Sequence, residues 1–391
     1  MGVGVLGVEP VMERVYMVIV IGAGQAGLAA AYHLSRKGLR AGTDFLVIDA
    51  NPGPGGAWRH RWPSLTLGAA HGIHDLPAFP QAGYFPDGPD TTRPASEVVA
   101  EYYGAFEAAM GLQVLRPVRV SAVQNGSPLS DDAAPLSVIT DAGTFSARRV
   151  VSGTGTWDRP YWPVYPGAAD FAGRQLHTHD FRSAAEFTGQ RVLVVGGGTS
   201  AVQFLLQLAE AGARTVWSTR RAPEFRSREF NPDWGREVER AVSERTRAGR
   251  PPSSVVSVTG LPLTEQYRRG IEAGILVSRG PLVRLKSGAA VFADGSEEPI
   301  DVVLWATGFR ASLDQLTPLR LREPGGGILM AADGVSVVKE PRLFLVGYGA
   351  SASTLGATRA GRAAALAALR SLTGQRLTQP APDSALAAQT Q

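Results

Sequence analysis

Short runs of wholly apolar side chains recur along the chain, and each stops at a cluster of small residues. Val18-Ile19-Val20-Ile21, Phe45-Leu46-Val47-Ile48 and Val192–Val195 are the clearest, and Asp301–Trp305 and Arg342–Val346 carry two more. Because they are apolar at every position rather than every second one, they read as strands buried on both faces of a parallel sheet. Helix-period stretches alternate with them. They cover Leu28–Lys37, then Ser96–Met110 with Val98, Val99, Tyr102, Tyr103 and Phe106 on one face, a stretch that follows Ala201 and runs to Glu210, and an Ala-rich helix over 357–371. This alternation predicts an α/β fold. Strands at 113–123, 136–140 and 144–151, with a turn at Asp141-Ala-Gly143, predict an antiparallel excursion, and 275–292 reads as a small meander.

Two of the strand-to-helix turns share one pattern. Gly22-Ala-Gly24-Gln25-Ala26-Gly27 follows the first strand, and Gly196-Gly-Gly198-Thr199-Ser200-Ala201 follows the strand at 192–195. In such a turn the first glycine permits the tight bend. The second lets backbone approach a pyrophosphate, and the third lets helix and strand pack closely. The helix start then offers free N–H groups and a partial positive charge to phosphates. With 46 glycines in 391 residues, three at this spacing arise about 0.6 times by chance. The flanking strand and helix therefore carry the inference, together with Asp49, which ends the next strand where a ribose diol is held. The second unit differs at that point. Its next strand, Thr215–Thr219, ends in Arg220-Arg221, with no acid between Arg214 and Ala222. Guanidinium groups there favour a 2′-phosphate through charge-assisted pairing, so this unit reads as an NADPH site.

The second unit lies inside the first. The predicted architecture is therefore α/β, with two Rossmann-like dinucleotide-binding domains. The first is discontinuous, 17–160 and 305–375, and the NADPH domain, 161–304, is inserted; 1–16 and 376–391 are expected as disordered tails. Asn51–Trp62 is a Gly/Pro loop in which Gly55-Gly56 allow close backbone approach. Trp58 supplies a large flat surface, for a ligand or for the core. Pro160, Pro163 and Pro166 stiffen the crossover from 159 to 167.

Composition narrows the chemistry. The net charge of +4, without a long Lys/Arg run, does not favour nucleic acid. No apolar run is long enough to span a bilayer, so a cytoplasmic protein is expected. There is no cysteine, which excludes a disulfide, a thiolate metal site, an iron–sulfur cluster and a dithiol redox cycle. His71, His74 and Asp75 lie among prolines and aromatics without further ligands at sensible spacing, so no metal site is expected. No nucleophile or acid pair stands out.

Between the two turns lies Phe171-x-Gly173-x-x-x-His177-x-x-x-Phe181. This pattern resembles the identifying motif of the flavin-containing monooxygenases, the class B flavoprotein monooxygenases, and is more specific than either glycine turn. Gly22–Gly27 is similar to their FAD fingerprint, Gly55-Gly56-Ala57-Trp58 to their Gly-Gly-x-Trp loop, and Gly196–Ala201 to their NADPH fingerprint. Ala306-Thr307-Gly308 is similar to their Ala-Thr-Gly turn, and 356–362 to the start of their C-terminal helix. The resemblance runs from about 17 to 370 and looks like the compact bacterial members.

The resemblance implies FAD and NADPH as cofactors and a small molecule and O₂ as substrates. NADPH would reduce the flavin, and a C4a-(hydro)peroxyflavin would pass one oxygen to a soft nucleophile, an amine nitrogen or a sulfide. Thr307, Gly308, Thr354 and Leu355 are implied as further cofactor contacts, with Ser353 and Thr354 capping the last helix. His177 is implied as a residue of the domain-coupling linker, with Phe171 and Phe181 packed beneath it. Phe181, where Baeyer–Villiger relatives carry tryptophan, leans away from ester formation. The last strand is followed by Gly-Tyr-Gly rather than Gly-Asp, which removes one familiar FAD contact. An NADPH oxidase or an NADPH:acceptor (quinone-type) reductase of the same architecture is the alternative, and association as a homodimer stays open.

Overall fold

The structure is a computed structural model that describes residues 14–70, 73–126, 134–227, 243–252, 260–352 and 354–374. His71, Ser353 and most of the two expected tails lie outside the described residues. The chain is ordered earlier than expected, because β1 (Val15–Ile21) already includes Val15 and Tyr16.

The larger sheet is built on β1. Its parallel neighbours are β2 (Phe45–Ile48) and β6 (Gly143–Ser152), and β3 (Val114–Leu115) adds parallel to β2. β4 (Val120–Asn125) and β5 (Leu136–Thr140) form an antiparallel hairpin on the first half of β6, and β16 (Leu343–Leu345) pairs parallel with its second half. The expected strand at 113–123 is thus two strands in different places. Pro117 lies between them, and without an N–H it cannot continue a ladder. On one face pack α1 (Gln25–Arg36), α3 (Ala95–Ala109) and α6 (Thr354–Leu372), with the short α2 (Gln81–Tyr84) beside them. Residues 313–345 cover the other face through Leu316, Leu321, Ile328, Met330 and Val337.

The smaller sheet is all parallel, in the order β7 (Arg174–His177), β15 (Val302–Trp305), β8 (Arg191–Val195), β9 (Arg214–Ser218). α4 (Thr199–Glu210) packs on one face with Phe181, Phe187, Trp62 and α5 (Glu265–Glu272). The other face is covered by a three-stranded meander, β12 (Leu282–Lys286), β13 (Ala289–Phe292) and β14 (Glu297–Pro299). A two-stranded ribbon, β10 (Phe225–Arg226) with β11 (Leu261–Pro262), completes this unit. Both glycine turns therefore sit at carboxyl ends of parallel strands, where open α/β sheets bind ligands. Among the described residues no helix is long and apolar enough to cross a membrane.

Candidate functional site

The first turn separates glycines that the protein itself requires from one that it does not. Gly22 has φ +96°, and a Cβ there would overlap the Gly153 carbonyl; a Cβ on Gly27 would overlap the Gly22 carbonyl. Gly24 has an ordinary φ of −79° and no atom closer than the Gly56 Cα at 4.0 Å. Its lack of a side chain leaves a cradle rather than relieving a clash. Gly24 is the N-cap of α1, which has no side-chain cap and no acid in its first turn. The first N–H groups of such a helix are open to an anion.

Around this turn the structure assigns other tasks to several predicted residues. Asp49 is buried, and its carboxylate accepts from the Ala23 N–H at 2.6 Å and the Asn51 N–H at 2.7 Å. It braces the turn as well as lying beside it. The Gln25 amide donates to the Thr354 carbonyl at 2.8 Å and to the Thr358 hydroxyl at 2.9 Å, so its side chain points to α6. Ala26 also faces α6, where a Cβ on Gly361 would overlap its carbonyl. What Gln25 and Ala26 leave for a ligand is backbone N–H. Gly55 and Gly56 both have positive φ, and a Cβ on Gly56 would come within 2.8 Å of the Gly24 Cα. The 3₁₀ turn Gly56–His60 is thereby laid on the fingerprint, with Ala57 exposed and Trp58 packed against both cores.

The second turn repeats this division. A Cβ on Gly196, at φ +148°, would overlap the Ala306 carbonyl, whereas Gly198, the N-cap of α4, meets nothing within 4 Å. Thr199 and Ser200 open the helix, with Ser200 exposed. Arg220 and Arg221 follow β9 and are exposed, without a hydrogen bond or ion pair to any described residue. Ser218 and Thr219 hold that strand end in place. Leu282 N–H donates to the Ser218 hydroxyl at 3.0 Å, and the Thr219 and Ser278 hydroxyls meet at 2.7 Å. Beside the arginines opens a cleft of about 400 Å³ lined by Thr219, Ala222, Phe225, Leu276 and Ser278.

The segment between the two turns is not a free spacer, because it contributes β7 to the smaller sheet. Gly173 is needed there, since a Cβ would overlap the Asp301 carbonyl. Phe171 and Phe181 lie on opposite faces of that sheet, in separate cores, and not beneath His177 as expected. The rings against His177 are Phe309, edge-on at 5.0 Å, and Trp162 at 5.9 Å. His177 is fully buried; its Nδ1 accepts from the His179 N–H at 3.0 Å, which leaves Nε2 to donate to the Gly308 carbonyl at 3.1 Å. Burial lowers its pKa from 6.5 to about 4, so the ring is neutral. The Ala-Thr-Gly turn is occupied on its protein side too. The Thr307 hydroxyl donates to the Tyr161 carbonyl, and the Gly308 carbonyl also accepts from the Tyr161 N–H at 2.9 Å.

Thr354 is the first residue of α6, which begins one turn before the expected 357, so Thr354 belongs to the helix rather than to its cap, and Leu355 follows it in the first turn. In the Gly-Tyr-Gly segment, Tyr348 is a buried core residue whose hydroxyl accepts from the Ile328 N–H at 2.9 Å. Sequence reasoning missed an aromatic cluster where the strand ends converge. Trp157 stacks on Phe309 at 5.1 Å and on His60 at 5.6 Å, and lies 4.8 Å from His179. One signal was available, since Gly153-Thr-Gly155-Thr-Trp157 and Ala306-Thr-Gly308-Phe309 each end a strand with Thr-Gly and then an aromatic ring. Among the described residues no cluster of three His, Asp or Glu could hold a metal.

Two glycine-cradled helix starts at parallel strand ends are the arrangement of a flavoprotein oxidoreductase that holds two dinucleotides. Residues 19–259 match the family model described as pyridine nucleotide-disulphide oxidoreductase. The flavin-containing monooxygenase from Stenotrophomonas maltophilia is 33% identical, with a TM-score of 0.74 over 92% of this chain and 100% of its own. Indole-3-pyruvate monooxygenase YUCCA1 of Oryza sativa subsp. japonica is 27% identical over 381 residues, 87% of this chain and 89% of its own length. A Baeyer-Villiger monooxygenase of Streptomyces coelicolor is 30% identical over 272 residues, 68% of this chain and 46% of its own length. The chain belongs to the flavin-containing monooxygenase family, within the wider pyridine nucleotide-disulphide oxidoreductase group. It is an NADPH-dependent flavoprotein monooxygenase whose cofactors are FAD and NADPH. The dithiol chemistry in the wider group's name is closed to a chain without cysteine.

Proposed function

We propose that this monooxygenase oxygenates a small soft nucleophile, an amine nitrogen or a sulfide sulfur. One oxygen atom of O₂ goes to the substrate and the other leaves as water, with NADPH and a proton supplying the reducing equivalents. FAD, when bound, supplies the hydride acceptance and the reaction with O₂. In this reading the unit 17–160 with 305–375 holds FAD through Gly22–Gly27, Asp49 and Gly56–Trp58. The unit 161–304 holds NADPH through Gly196–Ser200, Arg220 and Arg221. Thr307 and Gly308 present their outer faces to the cofactors, and Thr354 and Leu355 offer the start of α6 to the flavin ring.

The observation that carries the substrate class is the junction itself. Trp157, Phe309 and Trp58 wall it, and its most buried imidazole, His177, is neutral and engaged on both nitrogens. An apolar wall with its buried imidazole already occupied suits transfer to an atom that already carries a lone pair. The test is stoichiometry in air with a panel of sulfides and amines. One oxygenated product per NADPH supports the reading. Hydrogen peroxide equal to the NADPH consumed with every substrate, or rapid quinone reduction without oxygenation, would replace it with the oxidase or reductase alternative.

A further inference from the structure

The loop that carries Trp58 ends in a cation that no described residue neutralises. Arg61 is largely withdrawn from solvent, and its guanidinium has no hydrogen bond or ion pair to any described residue. Its neighbours are rings. The guanidinium carbon lies 5.1 Å from the Trp157 ring centre and 5.9 Å from that of Trp58. Other arginines of this half of the chain are engaged otherwise. Arg59 donates to the Pro54 carbonyl at 2.8 Å, and the half-buried Arg116 pairs with Glu107 at 2.6 Å. The carboxylates near the aromatic cluster are also taken, Asp49 by two backbone N–H groups, Asp158 by Arg119 and Asp180 by His179. A guanidinium stays charged at any physiological pH. A ring face returns only part of what it loses on leaving water. Burial lowers the pKa of Arg61, and no neighbouring carboxylate opposes that shift.

The missing anion is not a phosphate seated on the Gly24 cradle. The 3₁₀ turn Gly56–His60 begins on the Gly24 cradle and advances roughly 2 Å per residue, which carries Arg61 about 10 Å along it. There it lies among aromatic walls. A planar fork of donors beside two indole rings matches a carboxylate attached to a flat or apolar body.

We propose that Arg61 is the anion-recognition residue of the substrate site, and that the preferred soft nucleophile carries a carboxylate, held by Arg61 with its apolar body against Trp58 and Trp157. This rests on reading the aromatic junction as the substrate cleft. The test uses FAD-loaded protein without turnover. 2-Naphthoate and its uncharged amide are titrated while flavin absorbance and tryptophan fluorescence are followed. The carboxylate is expected to bind at least tenfold more tightly than the amide. In Arg61→Gln the two should bind within about twofold of each other, with amide binding and flavin content retained, and Arg61→Lys should keep part of the preference. Equal binding of the two probes by the unaltered protein overturns the proposal. Loss of flavin from both variants also does, because it would assign Arg61 to a cofactor phosphate. Carboxylate preference in a protein that oxygenates nothing would sink the soft-nucleophile reading and leave the anion site standing.

Discussion

Gly24 and Gly27 stand three residues apart in one turn and answer to different demands. A methyl group on Gly27 would overlap the Gly22 carbonyl, so Gly27→Ala must shift α1 or the turn itself. A methyl group on Gly24 meets only the Gly56 Cα at 4.0 Å and fills the space that a ligand would use. Gly24→Ala is therefore expected to leave the urea midpoint of the apoprotein nearly unchanged and to weaken FAD binding by about tenfold or more. Gly27→Ala should lower the midpoint by about 1–3 kcal/mol in stability, as overpacking does. Flavin content after gel filtration and apoprotein unfolding curves separate the two. Arg220 and Arg221 have no competing partner among the described residues, which suits both to a 2′-phosphate. A charge-assisted pair contributes about 1.5–3 kcal/mol, so Arg220→Ala should raise the NADPH requirement by about tenfold or more while NADH changes less than about twofold. The double substitution is the stronger test, and equal losses for both coenzymes would remove the arginines from that role.

At the scale of elements, what the sequence makes legible depends on whether a signal is local. The buried parallel strands were readable because both their faces are apolar, and the glycine turns because their spacing is fixed by the bend. The split at Pro117 was not, because apolar residues continue on both sides of it and only pairing partners distinguish β3 from β4. Nor was β7, whose Arg174-Gln175-Leu176-His177 carries a single aliphatic residue and is a strand because β15 lies alongside. The early start of α6 has a packing cause. Gln25 draws Thr354 into the first turn, and the small residues Ala26, Ala29 and Ala30 let Gly361 approach α1 backbone to backbone. Gly361→Leu should therefore separate α6 from α1 even though α6 itself would gain helix propensity. A fall of about 2 kcal/mol or more in stability, together with lost flavin, is expected from urea titration and the visible spectrum. An unchanged midpoint would show that α6 can shift without consequence.

At the scale of the whole molecule, the aromatic junction assembles residues 58–61, 157, 177–179 and 309, and no window of sequence contains it. The fingerprints were legible one at a time; the bond that ties the ends of β7 and β15 was not, although its histidine stood out by motif. That tie gives the molecule a dependence on pH. Both nitrogens of His177 are engaged in a way that only the neutral ring allows, since Nδ1 must accept from the His179 N–H. Burial sets its pKa at about 4 against 6.5 for the free side chain, and the Gly308 carbonyl and Asp180 oppose that shift only in part. Between those values the unfolded chain binds a proton that the folded one refuses. Stability is then complete above about pH 6.5 and falls as pH drops toward 4, by about 2 kcal/mol at pH 5. His177→Gln can still donate to the Gly308 carbonyl but cannot titrate. Its loss of stability from pH 7 to 5, measured by urea unfolding, should be smaller than that of the unaltered protein by about that amount. His177→Ala should lose the bond at every pH, and with it the link between the end of β7 and the turn after β15. More of the NADPH it consumes should then appear as hydrogen peroxide, at unchanged flavin content. Peroxide yields that do not differ among the three proteins would confine His177 to stability and remove it from coupling.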